Sequence, residues 1–145
     1  MRITDALRGE HAAMRPLLRQ LREKTAPGEK MPPPVVKTNA DALWTIIRAH
    51  TTVEEPLLEL LANSDRRGVA EPAQHALDEH EEIQVLLKLS IQGGDQRVLN
   101  RAVRLLLGHF FEEERDVFPV AEKVLKPAKQ ASLGLDWLRA RGLTK

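Results

Sequence analysis

His50 and Glu54 stand four residues apart on a stripe that otherwise reads Leu43, Ile47, Leu57 and Leu61. His109 and Glu113 repeat that spacing on a stripe of Leu99, Ala102, Leu106, Val117 and Val120. On an α-helix, residues four apart share one face, one turn apart. Both pairs therefore point where the apolar residues point, into a core. Burying an ionised carboxylate among apolar side chains is costly unless a cation or strong hydrogen-bond donors compensate it. Two such carboxylates in one core cannot both stay charged unaided. A pair of metal ions, with neutral imidazoles completing their coordination, would supply the missing charge.

Four amphipathic segments carry these stripes, separated by glycine and proline. The first runs from about Asp5 to Lys24 with Thr4 as its expected N-cap, Leu7, Met14, Leu18 and Leu21 inward, and His11 in phase with them. Ala26–Pro34 reads as a loop, and a second helix is expected from about Val36 to Asn63. Pro72 is placed to open a third helix, with Leu77, His80, Ile83, Leu87 and Ile91 inward and a stop at Gly93–Gly94. Asp95 can cap the fourth. A short tail helix, about Lys129–Arg141 with Leu135 and Leu138, is expected to pack outside the rest. The expected fold is all-α: an antiparallel up-down-up-down four-helix bundle over residues 1–127, with a C-terminal helix in residues 128–145. Pro16, Pro56 and Pro119 fall inside these helices, and Pro16 is read as a tolerated local bend.

Leu, Ala, Glu, Arg and Lys dominate, against three Phe, two Trp and no Tyr, which favours helix over strand. The net charge of +1, with acids interspersed and no long basic run, argues against a nucleic-acid partner. Zero cysteines exclude disulfides, thiolate chemistry and Cys-ligated iron–sulfur clusters. Asp5 and Glu10 interrupt the region where a signal peptide needs an apolar run, and no stretch approaches a membrane span. A cytoplasmic protein without a membrane partner is expected.

An internal repeat orders the candidate ligands. Glu10–Arg19 (EHAAMRPLLR) aligns without a gap on Glu79–Lys88 (EHEEIQVLLK), and His50–Glu55 (HTTVEE) on His109–Glu114 (HFFEEE). The two helix pairs are then related by an approximate two-fold, and His11 and His80 become equivalent inward positions. The expected metal ligands are His11, His50, Glu54, His80, His109 and Glu113. Mixed nitrogen and oxygen donors with open positions suit iron or manganese better than a closed zinc site. We expect two iron ions, with manganese or zinc as substitutes, bridged by both carboxylates and an oxo or hydroxo group. His75 and Glu79 have the same spacing, but His75 lies about 140° around the helix from His80 and is expected to face solvent. Glu55, Glu112 and Glu114 are read as a solvated face. Glu10 and Glu79 point about 100° away from the adjacent ligands, so a role in orienting imidazoles is the less favoured reading. A ferritin-like carboxylate site needs Glu three residues before His. Arg8, Ile47, Pro72, Leu77 and Leu106 occupy those positions, so that motif is absent.

The pattern H…H-x-x-x-E…H…H-x-x-x-E, with HFFEEERDVFP in the fourth helix, resembles the hemerythrin-like, or HHE cation-binding, domain from His11 to about Pro119. The resemblance implies a non-haem di-iron centre for dioxygen, nitric oxide or peroxide. Two positions depart from the family's oxygen carriers. Their fifth histidine, four residues before the third-helix ligand, is Ala76 here. Their last acid, five residues after its histidine, would be Glu114, whereas the internal repeat selects Glu113. Four histidines leave open positions on both metals, which favours sensing or redox chemistry over reversible transport. The expected function is binding or sensing of dioxygen, nitric oxide, or iron and redox state, with any signal passed to a partner protein. The alternative is a di-iron oxidoreductase acting on peroxide or nitric oxide. A metal-free helical interaction module remains only if the glutamates do not point inward.

Overall fold

The computed structural model describes residues 1–144, and all regular structure in them is helical. The elements are α1 (Ile3–Lys24), α2 (Pro33–Ala62), α3 (Ala70–Gly93), α4 (Gln96–Glu112), a π-helical turn (Glu113–Val117), α5 (Phe118–Val124) and α6 (Pro127–Ala140). They form a helical bundle, and none of its helices is long and apolar enough to cross a membrane.

Several helix ends differ from expectation. Arg2, not Thr4, is the N-cap of α1, and Thr4 is buried inside the first turn. α2 starts at Pro33–Pro34, inside the expected loop; proline fits there because first-turn N–H groups have no intrahelical acceptor. α3 begins two residues before Pro72. It stops as expected, with Gly94 left-handed at φ 65° and its N–H donating to the Ser90 carbonyl. Asp95 caps α4 by accepting from the Arg97 N–H at 2.8 Å. α1 and α2 run unbroken through Pro16 and Pro56, both on exposed faces where water can reach the freed carbonyls.

The fourth segment is not one regular helix. Proline at 119 has no N–H to donate, and its ring crowds the carbonyl four residues earlier. The π-helical turn immediately before α5 widens the backbone where that clash would fall. Such turns are frequent at functional sites. The inward register shifts with it: Val117, Phe118 and Ala121 are buried, while Val120 is only partly so.

The tail helix packs through residues other than the two leucines named for it. α6 buries Gln130, Leu133 and Gly134 and leaves Leu135 exposed. It lies across the seam between α1 and α2, packing on both. A Cβ on Gly134 would collide with the carbonyl oxygen of Met1, so the close approach needs glycine. The Gln130 amide donates to the carbonyls of Glu122 and Leu125, closing the corner between α5 and α6.

Two apolar clusters fill the interior. One contains Met14, Ile47, Ile83 and Leu106; the other contains Leu7, Leu57, Ala76 and Val117. Along every bundle helix the polar inward residue falls between a member of one cluster and a member of the other. The six candidate ligands therefore form a layer across the middle of the bundle, sealed from both ends.

Candidate metal centre

All six side chains are buried: His11, Glu54, His109 and Glu113 are at most 1% exposed, His50 2% and His80 7%. Ligand atoms of His11, His50, Glu54 and Glu113 lie within 4.8 Å of one another, and so do those of Glu54, His80, His109 and Glu113. The two groups share both carboxylates. Of the two acids weighed as the fourth-helix ligand, Glu113 enters the core, while Glu114 is part-exposed and pairs with Arg15.

Around this layer the second ring nitrogens face glutamates, and each reaches across to a neighbouring helix. Nδ1 of His50 is 2.7 Å from Glu10 Oε2, Nδ1 of His80 3.3 Å from Glu55 Oε1, and Nδ1 of His109 3.1 Å from Glu79 Oε1. The links run α1 to α2, α2 to α3, and α3 to α4. Glu114 would close the circle on α1, but its Oε2 stays 3.7 Å from His11 Nδ1, which has no hydrogen-bond partner. An ionised carboxylate only accepts, so the three partnered rings donate from Nδ1 and present Nε2 as a lone pair. Glu10, Glu55 and Glu79 thus orient the imidazoles, contrary to the expectation that Glu55 is merely solvated and that Glu10 and Glu79 point away. The repeated Glu-His and Glu-Glu pairs were the available signal; the helical angle alone hid it, because each glutamate serves another helix's ring. His75 is 63% exposed and near Glu79 and Glu112, facing solvent as expected.

What converges inside the ring is a set of acceptors. His11 Nε2 faces His50 Nε2 at 3.1 Å, and His80 Nε2 faces His109 Nε2 at 2.9 Å. Glu54 Oε2 is 3.1 Å from His50 Nε2, and Glu113 Oε1 is 2.9 Å from His109 Nε2. All four oxygens of Glu54 and Glu113 are buried without a hydrogen-bond partner. Buried polar atoms are ordinarily paired, and lone pairs that meet without a donor repel. Cations between them remove both problems, so these residues fit a two-metal group.

Without metal, protons must take that place. Burial alone would depress the His50 imidazole, but the Glu54 charge and the bond to Glu10 overcome it and push it up to about 10. Burial holds His11 down to about 3; its ring stacks on Phe110, centroids 3.9 Å apart. The carboxylates divide. Burial would raise Glu54, yet His50 and His80 hold it well below the usual range, whereas burial and the Glu54 charge hold Glu113 well above it. The metal-free layer thus drives the two carboxylates apart, Glu54 toward the ionised form and Glu113 toward the protonated one, as expected of two acids sharing a dry site. Phe110, fully buried over His11 and in edge contact with His50, is a second feature that stripe reading missed.

A cavity of about 40 Å³ opens beside Glu113, lined by His75, Ala76, Glu79 and Val117 among others. It lies at the position where the resemblance leads one to expect a fifth histidine.

Comparison with curated proteins and with solved structures gives no match. The family model of the hemerythrin HHE cation-binding domain matches residues 2–121, spanning all six buried histidines and glutamates and most of the chain. The chain belongs to the hemerythrin HHE cation-binding domain family.

Proposed function

We propose that this is a non-haem di-iron protein whose up-down-up-down antiparallel bundle binds or senses a small ligand such as dioxygen or nitric oxide. His11, His50, Glu54 and Glu113 would hold one ion, and Glu54, His80, His109 and Glu113 the other, the two carboxylates bridging. The observation that carries this reading is the pair of overlapping donor sets whose shared carboxylate oxygens are buried and unpartnered. Iron is favoured over manganese or zinc for a redox-responsive centre with mixed nitrogen and oxygen donors. When bound, the iron pair supplies redox activity and open coordination positions.

The chain's own residues do the rest. Glu10, Glu55 and Glu79 fix ring orientation and keep Nε2 free to bind. Phe110 and the two apolar clusters exclude water from the layer. The cavity beside Ala76 is large enough for water or a diatomic molecule and too small for an organic substrate. That size also admits peroxide, so the same cavity supports a second reading, an oxidoreductase acting on peroxide or nitric oxide. A partner protein would carry any signal, and the cytoplasm is the proposed compartment.

Metal analysis with an absorption spectrum of freshly purified protein tests the centre. Two irons per chain, with a band at the ultraviolet edge of the visible after oxidation, are expected. Protein grown with ample iron that holds no metal would sink the reading. Mixing reduced protein with nitric oxide or peroxide then separates the alternatives: a stable adduct supports binding, and repeated turnover supports the enzyme.

A further inference from the structure

α6 lies outside the span matched by the family model, yet it is wired to the candidate centre. Trp137 Nε1–H donates to Glu10 Oε1 at 2.8 Å, and Arg141 Nε–H donates to the same oxygen at 2.7 Å. The other oxygen of Glu10 holds Nδ1 of His50. Arg141 also donates from Nη2 to the carbonyl of Ala49, the residue before His50, at 2.9 Å. Its guanidinium sits over the Trp137 ring, 6.0 Å from the centroid. One carboxylate, one backbone carbonyl, the Trp137 side chain of α6 and the Arg141 side chain at its C-cap therefore bracket a single imidazole.

The other half of the pseudo-two-fold has no such bracket. Glu79, the repeat equivalent of Glu10, holds His109, but its other neighbours are the exposed His75 and the half-exposed Glu112. Glu55 on His80 is 43% exposed. The C-terminal helix thus stiffens one end of a layer that the repeat would otherwise make symmetric.

We propose that Trp137 and Arg141 are positioning residues: by fixing Glu10 from α6 they set the His50 ring, and so make the metal position built on His11 and His50 depend on the C-terminal helix. This rests on reading the layer as a two-metal centre. A carboxylate whose free oxygen is held by two donors keeps one rotamer, and the imidazole it orients keeps Nε2 aimed inward. Released from α6, Glu10 can turn to solvent and His50 loses the partner that selects its tautomer. The position built on His80 and His109 shares no residue with this chain of bonds; it shares with the first position only Glu54 and Glu113.

The test uses the full chain carrying Trp137→Phe together with Arg141→Gln, titrated anaerobically with iron(II). Changes to groups that orient metal ligands typically weaken binding about 10- to 100-fold. The expected result is a weakening of that order for one of the two ions, with the other unchanged and an altered spectrum of the oxidised pair. Trp137→Phe alone keeps most of the packing and removes only the N–H, so it separates this role from a folding defect; it should show a smaller shift in the same direction. The decisive arm is Glu10→Gln. In that background the α6 substitutions should add no further loss of metal, although any packing loss would still lower the melting temperature. Two ions bound with parental affinity and spectrum by the double variant would overturn the proposal while leaving the centre standing, as would an undiminished metal effect in the Glu10→Gln background. A parent that binds no metal overturns both. A metal-free readout exists as well: nuclear magnetic resonance should find the His50 Nδ1–H protected from exchange in the parent and exposed in the double variant. Equal protection in both would count against the clamp.

Discussion

Glu113→Gln should stabilise the metal-free protein while weakening its hold on metal. Burial and the Glu54 charge push the Glu113 carboxyl well above its ordinary value of 4.5, so without metal the fold favours its protonated form. Protonating a glutamate of ordinary pKa at pH 7 costs up to about 3 kcal/mol, at about 1.36 kcal/mol per pKa unit. Glutamine has almost the same shape and needs no proton. Its amide can donate to His109 Nε2, which now lies 2.9 Å from Glu113 Oε1. Allowing for imperfect amide geometry, a net gain of about 2–3 kcal/mol is expected, which in a chain of this size raises the melting temperature by roughly 5–10 °C. The sign can be checked against pH. A carboxyl raised in the fold contributes most below its unfolded value and loses that contribution as pH rises. The advantage of glutamine should therefore be large at pH 7 and fade towards pH 4.5. Metal acts the other way: a ligand at about 100 times its dissociation constant adds about 2.7 kcal/mol to the parent, and the neutral amide, a poor bridge, should lose most of that. Thermal unfolding of both proteins, with chelator and with anaerobic iron(II), measures each quantity. If chelated Glu113→Gln melts below the chelated parent, the buried carboxyl carries no ionisation burden and the reasoning fails.

Three further outcomes are expected. His11 is held neutral by burial down to about 3, so unfolding takes up a proton there, and metal-free protein should lose stability as pH falls from 6.5 towards 3; His11→Gln should flatten that part of a melting-temperature profile. Glu54→Ala should reduce bound iron to less than one ion per chain, whereas His75→Ala, at an exposed position, should leave both ions in place by metal analysis. With Ala76 opening a cavity beside Glu113, reduced protein mixed with air should oxidise without a long-lived, reversible oxygen-bound spectrum; a spectrum that reverses under vacuum would restore the oxygen-carrier reading.

The bundle and its polar layer were legible because both depend on helical period. Each inward histidine and glutamate sits in phase with its own helix's leucines, and burial follows phase. What was not legible depends on something other than one helix's phase. Glu10 points about 100° from His11 on the wheel, yet its long side chain reaches His50 on the next helix. Pro119 could be read only as a proline inside a helix, whereas the chain spends one extra residue in a π-helical turn and thereby moves Ala121 inward in place of Val120. α6 carries apolar residues on two sides, and the choice of Leu133 over Leu135 was made by the seam it covers. The internal repeat predicts two equal halves; three features make them unequal. The π-helical turn begins at Glu113, Glu114 pairs with Arg15 and stays 3.7 Å from His11, and α6 secures Glu10 on His50. A two-fold sequence pattern has thus produced two overlapping donor sets with different surroundings: one tied to the C-terminal helix, the other beside a cavity large enough for a small molecule.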